Sequence, residues 1–141
     1  MKQPPVYREQ EEKVKIEGGD EYKEIAKKAS DNFHKIYNEE NFDALFELID
    51  NKSQLKSERV YWDVRFNKIK NELGKFEKAE FTRANVFQKS QTVEVRIEYI
   101  TKFEKDDGTK PRYELFFWEI YKNGDVKLLN YMNGIDNEKS Y

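Results

Sequence analysis

The chain has 141 residues, 26 basic against 28 acidic for a formal net charge of -2, one histidine and no cysteine. That length supports one domain around one core, and the balanced charge supplies no broad field for nucleic acid or an anionic membrane. Without cysteine, disulfides, thiolate chemistry and cysteine-bound zinc are excluded. Aromatic residues are 15% of a chain that is only 37% hydrophobic, so the expected core is built from rings rather than aliphatic side chains. No apolar run approaches the roughly 18 residues of a membrane-spanning helix, and the first residues lack the apolar stretch of a signal peptide. The chain as given reads as soluble, with no direct membrane insertion, and would equally suit the mature part of an exported bacterial protein.

Residues 1–19 carry Pro4-Pro5, a run of charges and Gly18-Gly19, and read as a flexible tail or tether. Val6, Tyr7, Val14 and Ile16 leave open the alternative of pairing against a sheet edge. Asp20 is placed to cap a first helix, in which Tyr22, Ile25, Ala26, Ala29, Phe33, Ile36 and Tyr37 recur at helical spacing. Phe42, Leu45, Phe46 and Ile49 form the stripe of a short second helix. A third runs from about Ser57 to Leu73 on Trp62, Phe66, Ile69 and Leu73, with Gly74 as its left-handed cap.

Phe76 to Phe87 is extended, and from Val93 to Phe103 the odd positions are apolar or β-branched while charges fill most of the even ones, the pattern of a strand with one wet face. After Asp106-Asp107-Gly108-Thr109, the run Tyr113 to Tyr121 is apolar on both sides, with Leu115 and Phe117 on one and Phe116, Trp118 and Ile120 on the other. Asn123-Gly124 predicts a tight type I′ hairpin into Val126 to Met132, and residues 135–141 read as a frayed end. Three helices followed by about four strands joined mainly by hairpins give an α+β domain over residues 20–134, the helices packed on a curved antiparallel sheet.

The helix ending in Leu73-Gly74-Lys75-Phe76, the segment Asn41-Phe42-Asp43-Ala44-Leu45-Phe46, and the run from Trp62 to Phe81 followed by strands ending at Gly134 resemble the NTF2-like superfamily. The likeness is to its small bacterial domains of unknown function and spans about Asp20 to Gly134. The resemblance implies a bent sheet wrapped around the helices as a cone. It admits isomerases, dehydratases, transport adaptors and binding modules on one scaffold. Lipid-anchored members carry an N-terminal cysteine, which this chain lacks.

On that cone, Tyr61, Trp62, Phe66, Tyr99, Phe117 and Tyr131 are the expected walls of a pocket for a small apolar or aromatic ligand, unless they simply fill the core. Asp63, with Tyr61 or Tyr99, is the acid-base candidate, since a carboxylate among apolar neighbours would have a raised pKa. His34 sits off the apolar stripe and is expected to face solvent. With Asn38 its only neighbour at i+4, no metal site and no cofactor are expected. Leu115 and Phe117 are assigned to the helix-facing side with Val95 and Ile97. Phe116, Trp118 and Ile120 then form an outer patch, and a homodimer through the sheet is expected with Trp118 central and Arg96 or Arg112 at its rim.

The reading that follows is a non-enzymatic domain that binds a small ligand or a protein partner. The alternatives are a small isomerase or dehydratase and a purely structural interaction domain. An enzyme should bury a carboxylate in a pocket within reach of a hydroxyl or histidine. A binding module need not.

Overall fold

A computed structural model describes residues 12–135. Three helices, α1 (Asp20–Asn38), α2 (Phe42–Glu47) and α3 (Arg59–Leu73), pack against a five-stranded antiparallel sheet, so the protein is α+β. The strands are β1 (Val14–Ile16), β2 (Phe76–Gln88), β3 (Thr92–Phe103), β4 (Arg112–Tyr121) and β5 (Val126–Ile135), ordered in space as in sequence. The expected tail over residues 1–11 and the frayed end over residues 136–141 lie outside the described residues.

The fifth strand comes from the segment read as a tail, with edge pairing by Val14 and Ile16 as the alternative, and at these two residues the alternative holds. Val14 to Ile16 pair with Gln88 to Val86, and Gly18 and Gly19, at φ 77° and 72°, turn the chain from β1 into α1. Gly19 is also the N-cap in place of the expected Asp20, which enters the first turn with Glu21 and complements the helix dipole. Gly19 packs so closely on Val86 that a Cβ there would lie 3.2 Å from its side chain. At the end of α3, Gly74 has φ 77° and abuts Glu104, whose carboxylate a Cβ would meet at 2.5 Å.

The β4–β5 connection is longer than predicted. Gly124 N–H donates to the Tyr121 carbonyl and Tyr121 N–H to that of Asp125. Only Gly124 of the Asn123-Gly124 pair has positive φ. The connection is thus a type I turn closed by a left-handed glycine, which also matches the twist of a hairpin.

Register decides which face of β4 meets the helices. Val93, Val95, Ile97 and Tyr99 stand opposite Ile120, Trp118, Phe116 and Glu114, and directly opposed residues share a face. The helix-facing side therefore carries Phe116, Trp118 and Ile120, the reverse of the expected outer patch, and all three are buried. Leu115 and Phe117 lie on the outer face beside Glu98 and Arg96. A strand apolar on both sides offers no periodic signal to choose between them, and a shift of one residue exchanges the faces.

Beneath that sheet the rings of Phe33, Phe66, Phe116 and Tyr131 meet at centroid distances from 4.9 to 5.9 Å. Trp62 packs on Phe66 at 4.4 Å, with both side chains buried as the α3 stripe predicts. The strand ring that Phe66 meets is Tyr131 of β5, with centroids 5.7 Å apart, while Leu115 and Phe117 lie on the other side of the sheet. The β5 edge is covered in its first half: Leu128 exchanges backbone hydrogen bonds with Leu48 and Asp50, and Ser53 Oγ donates to the Leu129 carbonyl.

Candidate functional site

The helix-facing side of the sheet holds a buried polar cluster. Glu114 is fully buried on β4, with His34 Nε2 of α1 at 2.6 Å from its Oε1. The Tyr131 hydroxyl donates a short hydrogen bond to Glu114 Oε2, and Asn133 Nδ2 donates to the Tyr131 hydroxyl at 3.0 Å. The His34 ring stacks on Phe76 with centroids 3.6 Å apart. Arg65 of α3 donates to the Tyr131 carbonyl at 2.7 Å, tying that helix to β5. One turn before His34, Ser30 Oγ accepts from Trp118 Nε1 at 3.0 Å.

His34 is thus 4% exposed rather than solvent-facing. The reason is that α1 buries a wide arc, Ser30, Phe33, His34 and Tyr37, and its two polar positions meet the polar groups of the sheet. A trace of this was in the sequence. Glu114 shares strand parity with Phe116, Trp118 and Ile120, and a carboxylate on a wholly apolar face needs a buried partner.

Burial, followed by the charge of Glu114, holds the Tyr131 hydroxyl well above the ordinary tyrosine pKa. Tyr99 stands opposite Glu114 in the register, and burial pushes its hydroxyl up to about 12. That hydroxyl lies near Ser30 but makes no hydrogen bond of normal geometry.

The other residues singled out by sequence do not converge on this cluster. Tyr61 is 63% exposed on the outside of α3, and Asp63 accepts from Arg59 Nε at 3.0 Å at the surface. Neither joins Tyr99 in an acid-base set. Trp62, Phe66 and Tyr131 fill the core, while Phe117 is on the opposite side of the sheet. Arg112 pairs with Asp106 and Asn133. Among the described residues, no three His, Asp or Glu side chains gather as a metal site, and no helix is long and apolar enough to cross a membrane.

The outer face buries carboxylates differently. Glu94 and Glu119 are both almost wholly buried, and Lys89 Nζ lies between them at 3.3 and 2.9 Å. Lys52 Nζ reaches Glu119 at 2.8 Å, and Thr92 Oγ1 donates to the same carboxylate. Lys13 of the segment entering β1 reaches Glu94 at 3.4 Å, and Arg96 Nε donates to Glu94 at 2.7 Å. Burial pushes the Glu94 carboxyl up, but the Arg96 hydrogen bond and the charges of Arg96, Lys13 and Lys89 outweigh it and hold the pKa below the ordinary range.

Beside this network, the Arg96 guanidinium lies 5.0 Å from the centroid of Phe87 and 4.5 Å from that of Phe117. These three residues, with Arg83, Asn85, Glu98 and Leu115, line a groove of about 130 Å³. It has an apolar floor from β4 and a cation fixed in orientation by Glu94. Compared with models of protein families, with curated proteins and with solved structures, the chain matches none.

Proposed function

We propose that this chain is a non-enzymatic binding domain of the NTF2-like type, and that the outer-face groove at Arg96 receives a small planar ligand carrying a carboxylate. The observation that carries the reading is Arg96 itself, hydrogen-bonded by Glu94 and set against Phe87 and Phe117. A guanidinium fixed in this way is preorganised for a bidentate carboxylate, and the flanking rings suit the flat body of an aromatic ligand. At about 130 Å³ the groove is smaller than the roughly 300–1,000 Å³ of drug-sized pockets. It suits a single ring, free or as the end of a partner's side chain.

The test is a titration of isotope-labelled protein with benzoate and phenylacetate, followed by amide chemical shifts. Shifts should concentrate at Asn85, Phe87, Arg96 and Phe117 and vanish in Arg96→Ala. Arg96→Lys, which keeps the charge but loses the fork, should weaken them. Absence of shifts at millimolar ligand, or shifts centred on α3, overturns this assignment.

One observation favours a second reading, an isomerase or dehydratase-type enzyme. Glu114 is a buried carboxylate in direct contact with both a histidine and a hydroxyl, the combination that acid-base chemistry requires. It is also fully buried, so a substrate could reach it only if α1 or Phe76 moved aside. Turnover of an enolisable ketone that is abolished by Glu114→Gln in a folded protein would establish this reading over the first.

A further inference from the structure

The two edges of the sheet are treated differently. The edge at β5 is covered from Leu128 to Tyr131, by residues 48–53 at Leu128 and Leu129 and by Arg65 at the Tyr131 carbonyl. The edge at β2 is covered only where β1 pairs with Val86 to Gln88, and among the described residues no strand pairs with it from Phe76 to Asn85. Phe76 is closed off by a side chain, since Asn38 accepts from its N–H and donates to its carbonyl. Along the remainder, Glu77, Lys78, Glu80, Phe81, Thr82 and Arg83 are exposed. Register shifts at Glu77 and Thr82 bracket a regular run, Lys78 to Phe81, in register with Lys102 to Tyr99.

We propose that the open edge of β2 is a homodimer contact in which β2 pairs antiparallel with β2 of a second copy about a twofold axis at Ala79. An unpaired edge is a template for strand addition, and a twofold normal to the sheet opposes residues of equal parity. Centred on Ala79, this pairing sets Lys78 against Glu80 of the partner and Glu80 against Lys78 of the partner, while the small Ala79 side chains meet at the axis. Moving the axis to Glu80 opposes two glutamates, and moving it to Lys78 opposes two lysines. Like charges directly opposite are unfavourable, so Ala79 is the centre within the regular run that matches charge with charge. The contact is independent of the Arg96 groove. It also differs from the sheet-face dimer expected from Trp118, whose side chain is buried against α1.

Sedimentation equilibrium on the full chain tests this from low micromolar to about millimolar concentration, with Lys78→Glu, Glu80→Lys and the double exchange beside the unmodified protein. Each single reversal creates two like-charge oppositions and should weaken the dimer by about tenfold or more. The double exchange restores opposite charges and should recover it. Because the chain has no cysteine, Ala79→Cys introduces one thiol. Across the twofold the Cα atoms would be about 4.5–5.5 Å apart, inside the range of a disulfide. Mild oxidation should therefore yield a linked dimer from Ala79→Cys and not from Glu80→Cys. A monomer throughout the concentration range overturns the proposal. So does a dimer indifferent to the single reversals, a double exchange that fails to recover association, or linkage at position 80 instead of 79.

Discussion

The two faces of this sheet bury carboxylates by opposite means. Towards the helices, Glu114 is held by the Tyr131 hydroxyl and the single histidine, within a shell of aromatic rings. On the outer face, Glu94 and Glu119 are held by lysine and arginine groups from the segment entering β1, the β2–β3 turn, β3 itself and the segment after α2. The helix-facing solution is made by short groups whose positions are fixed by packing. The outer one is made by long side chains whose stems cover the carboxylates while several heads remain near water. A buried carboxylate is therefore no sign of function by itself, and what distinguishes the two sites is the stiffness of the groups around them.

The largest effect should come from the packing that fixes the inner face. Phe66→Ala removes the ring between Trp62, Phe33 and Tyr131, and chemical unfolding should show a loss of roughly 3–5 kcal/mol. A loss under about 1 kcal/mol would detach α3 from the core. Next is Glu114→Ala, which strips the acceptor from buried Tyr131 and the partner from His34. It should cost about 1–3 kcal/mol for each buried group left unsatisfied, with Glu114→Gln recovering part of the loss. Equal stability of the two variants would mean that shape, rather than hydrogen bonding, holds the inner cluster.

The smallest effect belongs to the outer face and depends on pH. Glu94 has a folded pKa below its unfolded value. Its stabilisation is therefore complete above the unfolded carboxylate pKa of about 4 and is lost as pH falls through the lower folded value. Melting temperatures measured from pH 6 to pH 2 should fall less steeply at the acid end in Glu94→Gln than in the unmodified protein. Identical acid limbs would remove the ionic contrast between the faces.

Much of the architecture was legible because local pattern and tertiary contact agree. The α3 stripe of Trp62 and Phe66, the odd positions of β3 and the glycine that caps α3 all follow from spacing alone. The misread parts depend on distant partners. His34 is placed by a carboxylate 80 residues away, and the face of β4 by its register with β3 after a turn whose geometry the sequence does not specify. β1 is only three residues long, too short for a periodic signal, and its pairing required the left-handed pair Gly18-Gly19. The groove combines Phe87, Arg96 and Phe117 from three different strands, so no single stretch of sequence could show it.

The strictly sequential strand order also bears on how the chain assembles. β2 through β5 each find their next partner across a short connection, so that meander closes by local steps with little loop entropy to overcome. β1 is the exception, because Val14 reaches Gln88 only across the whole helical segment. Its pairing should form last in folding and open first on unfolding. Amides of residues 86–88 that depend on β1 would then exchange with solvent at a lower opening energy than those at the centre of β3.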